Sequence, residues 1–150
     1  MIKPMEVKIS QPGSKKILVI DDNKVVLKAM SYMLVAKGYR VQLAESGAEA
    51  LSILRKDKPD LILLDLDFPP DLGNIGGALR DGFLIIDWAR RMCDAEKIPV
   101  IIVSTLDPEQ YKTRAQAAGI PTFFQKPVDK EKLLAAINTT LGEAATGPAA

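Results

Sequence analysis

Four apolar runs in this chain end in residues that could do chemistry. KILVI runs into Asp21-Asp22, LILL into Asp65 with Asp67 two places on, PVIIV into Ser104-Thr105, and TFFQ into Lys126. Carboxylates brought together repel, and each resists ionisation unless a cation intervenes. The chain has no histidine, so oxygen donors alone are offered. They suit a hard ion such as Mg2+, which keeps several waters and uses one or two carboxylates plus phosphate oxygens. Lys126 as a point charge and Ser104 as a hydrogen-bonding hydroxyl would then complete a place for a phosphoryl group. Each residue also has a plain structural reading. An aspartate pair caps helices, a lone lysine is usually a surface charge, and Phe123 and Phe124 suit a core. Leu84 and Trp88, four apart, read as packing residues.

The elements decide whether these strand ends meet. Lys16–Ile20 and Leu61–Leu64 are short continuous apolar runs, the pattern of strands buried on both faces. Pro99–Val103 and Pro121–Gln125 read as two more, and Tyr39–Leu43 alternates as a shorter one. Between them lie helical patterns. Asn23–Lys37 places Val26, Met30, Met33 and Leu34 on one face and stops at Gly38. Ser46 to Glu49 forms a capping box that opens a helix with Ala50, Leu51 and Leu54 inward. Phe83–Met92 is helical, and Asp107-Pro108-Glu109 starts a helix that runs to Gly119. Asp129 caps the last, through about Leu141. Five alternations of strand and helix imply an α/β fold with a doubly wound, five-stranded parallel sheet. In the order 2-1-3-4-5, the first and third strands are neighbours at the switch point, and their carboxylates converge there.

Composition narrows the class. Of 150 residues, 47% are apolar and 26% charged, as in globular proteins. A net charge of +1 gives no electrostatic reason to expect nucleic acid or an anionic membrane as partner. Cys93 is the single cysteine, which excludes an internal disulfide framework and fits a reducing compartment. No apolar run approaches the ~20 residues that span a bilayer, and the N-terminus lacks a signal-peptide core. A cytoplasmic protein is expected. Residues 1–15 read as a loose arm, 16–141 as one domain, and 142–150 as a low-complexity tail or linker.

The acidic pair after KILVI, the aspartate of LILLDLD, the hydroxyl of PVIIVS and the lysine of FFQKP resemble the receiver domain of two-component response regulators. They stand in that family's order over residues 15 to 141. The resemblance implies a flavodoxin-like three-layer sandwich in which Asp65 accepts a phosphoryl group from a histidine kinase or histidine phosphotransfer protein. It implies that Asp22, an oxygen of Asp65 and the backbone carbonyl of Asp67 ligate Mg2+, with Asp21 acting directly or through water. Lys126 would pair with Asp65 and then with phosphoryl oxygens. Ser104 would be the switch hydroxyl and Phe123 the switch aromatic, while Asp67 and Thr105 tune the phosphoryl lifetime. The Lys126-Pro127 bond is one the family often holds cis. A receiver acts by docking on partner proteins, as a monomer or a phosphorylation-dependent dimer, and catalyses only its own phosphorylation and dephosphorylation.

Two other readings share some of these residues. LILLDLDF also resembles the first motif of haloacid-dehalogenase-type phosphatases, although the acidic pair here precedes that motif instead of following Lys126. A pseudo-receiver that docks without phosphorylation would need no intact acidic cluster. One departure from the receiver pattern stands out. Pro69 follows Asp65 by four residues as expected, yet the Asp81-Gly82 pair that opens the next helix is delayed. The intervening segment 68–82 is expected to form a lid or partner-contact loop resting Leu72, Ile75 and Leu79 on Leu84 and Trp88.

Overall fold

The computed structural model describes residues 14–66 and 82–142. Residues 1–13 of the arm, the tail beyond Gly142, and residues 67–81, with Asp67 and almost all of the expected lid, lie outside them. Five strands form one parallel sheet, β1 (Lys16–Ile20), β2 (Arg40–Ala44), β3 (Leu61–Leu64), β4 (Val100–Ser104) and β5 (Thr122–Gln125), in the order 2-1-3-4-5. The helices are α1 (Lys24–Ala36), α2 (Gly47–Lys56), α3 (Gly82–Met92), α4 (Lys112–Ala117) and α5 (Lys130–Leu141). The expected doubly wound α/β architecture is the one observed.

Alternation along the strands builds two cores. Ile17, Val19, Leu61, Leu63 and Ile101 face α1 and α5, meeting Leu27, Met30, Leu34, Leu133 and Ile137. Leu18, Ile20, Ile62, Leu64 and Ile102 face the other way, onto Ala50, Leu54, Ile85, Ile86 and Ala115. A sheet covered on both faces must be apolar at consecutive positions, and β1, β3 and β4 are buried throughout.

The helix ends follow the sequence closely. Ser46 accepts the Glu49 N–H at 3.1 Å, and the Glu49 carboxylate returns to the Glu45 N–H at 2.7 Å. Asp129 caps α5 by accepting from Glu131 and Lys132. Gly38 takes φ +93° after α1, a conformation that favours glycine.

Two expectations change. α1 buries Leu27, Met30 and Leu34, while Val26 and Met33 are only half-buried at the flank. The stretch expected to be one helix from Asp107 to Gly119 is a single 3-10 turn at Pro108–Gln110 followed by α4. Tyr111 separates the two with φ −135°. Its side chain is anchored in the core and is only 5% exposed.

Candidate functional site

Parallel pairing places the chemistry. Ile20 is in register with Leu64, and Leu64 with Ile102. The next residues therefore leave the same edge of the sheet together. The ladders extend one step further, with the Asp21 N–H on the Ala44 carbonyl at 3.1 Å and the Asp65 N–H on the Ile20 carbonyl at 3.0 Å. On the other side, Ser104 is in register with Gln125, and the Lys126 N–H donates to the Ser104 carbonyl at 2.8 Å. Backbone bonds thus fix Asp21, Asp65, Ser104 and Lys126 before any side chain contributes.

Asp21, Asp22 and Asp65 each bring a carboxylate oxygen to within 4.8 Å of the other two. Asp21 and Asp65 are 3% and 6% exposed, whereas Asp22 is open to solvent. The Lys126 ammonium lies 2.6 Å from Asp21 Oδ2 and 3.6 Å from Asp65 Oδ2. It sits closer to Asp21 than to the residue the sequence had paired it with. Asp21 Oδ1 accepts the Asn23 N–H at 2.9 Å. The capping of α1 falls to Asn23, whose side chain accepts from Val25 at 2.8 Å and Val26 at 3.2 Å. The acidic pair is thereby released from the cap role that the plain reading gave it. Asn23 is a favoured N-cap residue type, but the two aspartates before it are equally good cap residues, so residue type alone did not single it out.

Ser104 is fully buried, and its hydroxyl oxygen accepts the Leu106 N–H at 3.2 Å. Thr105 is exposed, and its carbonyl accepts from the Gln125 side chain at 3.3 Å. Phe123 is half-buried against the core, its ring edge-on to Tyr111 with centroids 5.5 Å apart at 77°. Lys126-Pro127 is cis. Trp88 packs on the same core cluster, in line with a packing role.

Gly82 is a positioning residue the sequence did not reveal as such. Its N–H donates to the Leu66 carbonyl at 3.1 Å. A Cβ there would stand 2.9 Å from the Asp65 carbonyl oxygen and 3.0 Å from Leu66 Cα. Both are backbone atoms that cannot step aside, so only glycine lets α3 begin against the acidic strand end.

Residues 17–138 match the response regulator receiver domain. The chain belongs to that family. Among relatives, protein PilH of Pseudomonas aeruginosa is 32% identical over 126 residues, covering 84% of this chain and 97% of PilH. The polar-differentiation response regulator DivK of Brucella ovis is 27% identical, covering 87% of this chain and 99% of DivK. Among solved structures, the chemotaxis protein CheY4 of Vibrio cholerae superposes with a TM-score of 0.74 at 25% identity, covering 85% of this chain and 99% of that one. This is a receiver domain, a phosphoacceptor signalling module, and the phosphatase reading is not favoured. Receiver domains bind Mg2+ at an acidic pocket, and the three carboxylates described here fit a hard divalent cation, all being oxygen donors with one face open to water. Among the described residues no helix is long and apolar enough to cross a membrane.

Proposed function

We propose that Asp65 is the phosphoacceptor and that this receiver takes its phosphoryl group from a phosphohistidine on a partner protein. The observation that carries this reading is the meeting of three carboxylates within 4.8 Å beside a lysine ammonium that reaches two of them. Asp65 stands at the tip of a buried central strand, ladder-bonded on its amide, so its carboxylate is held where an incoming phosphorus can approach. An Asp65 oxygen attacks that phosphorus, the P–N bond breaks, and its electron pair returns to the donor's imidazole. Asp21, Asp22 and Asp65 would hold Mg2+, which when bound supplies charge neutralisation to carboxylate and phosphoryl oxygens. Asp67 would add its backbone carbonyl. Lys126, 2.6 Å from Asp21 and 3.6 Å from Asp65, screens the approach of one anion to another. Positioning and electrostatics carry most of the catalysis in phosphoryl transfer.

The acyl phosphate adds roughly −1.5 to −2 charge and new acceptor oxygens. Ser104 would turn its hydroxyl from the Leu106 amide to donate to one of them, and Phe123 would rotate into the space vacated. Asp67, two residues after Asp65, and Thr105, next to Ser104, would tune how long the phosphoryl group survives. The receiver spans 16–141, works in the cytoplasm, turns over no substrate but its own aspartyl phosphate, and signals by docking on a target protein. The test is incubation with acetyl phosphate and Mg2+ followed by intact mass. A stable phosphoryl adduct, abolished by Asp65→Asn, is expected. Steady release of phosphate from acetyl phosphate with no adduct would favour a phosphatase, and no reaction would favour a docking module that is never phosphorylated.

A further inference from the structure

Tyr111 lies between the 3-10 turn and α4, outside the acidic cluster, and carries two opposed features on one side chain. Its ring meets Phe123 edge-on at 5.5 Å and 77°, the arrangement that aromatic quadrupoles favour. Its hydroxyl is buried and, among the described residues, has no hydrogen-bond partner. A buried hydroxyl without a partner is costly, because water once satisfied it. The ring therefore holds Phe123 where it is, while the hydroxyl disfavours the same arrangement. Burial, and then the nearby charge of Asp107, push the phenol above its usual range, so the group stays a neutral donor. The surrounding backbone can give way. The 3-10 turn has three residues and α4 six, too short to be stable apart from their packing.

We propose that Tyr111 is a positioning residue that sets the balance between the present orientation of Phe123 and the inward one. This rests on the reading of Asp65 as phosphoacceptor and Phe123 as the switch aromatic, and it assigns to a third residue the poise of that switch. An equilibrium biased by two opposed contributions lies near balance, and a phosphoryl group moves it only by its differential affinity for the two states. Removing each contribution separately should move the balance in opposite directions.

The probe is beryllofluoride, a phosphoryl mimic, titrated in the presence of Mg2+. NMR follows the Leu106 amide, which Ser104 accepts, and the Ile102 methyls, since Ile102 is in register with Phe123. Tyr111→Phe keeps the ring and removes the orphan hydroxyl, so its midpoint should rise about threefold to tenfold. Tyr111→Leu removes the edge contact and keeps apolar volume, so its midpoint should fall by a similar factor. Urea unfolding confirms that both variants are folded, and Tyr111→Phe alone tests the rise if the leucine variant is not. A wild type that titrates, with variant midpoints unchanged or moved in the same direction, overturns the role of Tyr111 while leaving Asp65 as acceptor. A wild type that never titrates overturns the acceptor reading and the proposal with it.

Discussion

At the scale of single residues, the acidic cluster sets function against stability. Asp21 and Asp65 are both buried, and the Lys126 ammonium reaches both, closer to Asp21. Removing the charge of Asp65 relieves like-charge repulsion and leaves the stronger Lys126–Asp21 pair intact. Asp65→Asn should therefore abolish phosphorylation by acetyl phosphate and, without Mg2+, raise the unfolding free energy by about 1 kcal/mol, the repulsion between two unit charges roughly 4 Å apart in a water-like medium. Lys126→Ala should impair phosphorylation too, but with the opposite effect on stability. It leaves two buried carboxylates without their ammonium, lowering stability by about 3 kcal/mol and slowing phosphorylation by about 10²-fold or more. Urea titration and the phosphorylation time course check both. A neutral Asp65→Asn would show that the carboxylates do not strain each other.

At the scale of elements, the strand tips were readable because a parallel sheet buried on both faces writes its strands as unbroken apolar runs, and the first polar residue after each run marks its end. Asp21, Asp65 and Ser104 all fall at such points. The face of α1 was not readable, since VVLKAMSYMLV is apolar nearly all round. Periodicity there offers two faces, and the sheet chooses Leu27 over Val26. The break at Tyr111 was hidden because Asp107-Pro108 is a good helix start whatever follows. Gly82 was legible as a helix opener, but its closeness to Asp65 is a tertiary fact. Gly82→Ala would force a Cβ to within 2.9 Å of the Asp65 carbonyl and should cost about 1–3 kcal/mol, as overpacking does. It should slow phosphorylation of Asp65 as well, by shifting the strand tip. Full stability in the alanine variant would contradict the close approach. At the opposite end of β1, Lys16 pairs with Asp57. The Lys16 hydrogen bond, with the charges of Lys16 and Arg40 and against some desolvation, holds the Asp57 carboxyl below its usual 3.8. A lowered folded value means stability that is present above pH 3.8 and lost as pH falls through that lower value. Asp57 is largely exposed, so the effect is small and screened by salt. At low ionic strength Asp57→Asn should lower stability slightly at pH 7, and its difference from the wild type should shrink as pH falls below 3.8, which flattens the acid limb of the stability curve.

At the scale of the whole molecule, the acidic cluster at the strand ends would couple folding to the binding of a cation held there. The three carboxylates come from two stretches far apart in sequence, just past the ends of β1 and β3, and only the folded sheet collects them. An ion that binds the folded chain and not the unfolded one stabilises it by mass action, about 2.7 kcal/mol at a hundredfold excess over the dissociation constant. Mg2+ should therefore raise the midpoint of urea unfolding steadily with the logarithm of its concentration, and EDTA should reverse the gain. Asp22 is the solvent-facing member of the cluster, so Asp22→Asn should leave the stability measured in EDTA almost unchanged and abolish most of the Mg2+ dependence. Monovalent salt at matched ionic strength serves as the control, because general screening also relieves carboxylate repulsion. If sodium chloride reproduces the whole effect, or if Asp22→Asn responds to Mg2+ as the wild type does, the carboxylates are not holding the cation.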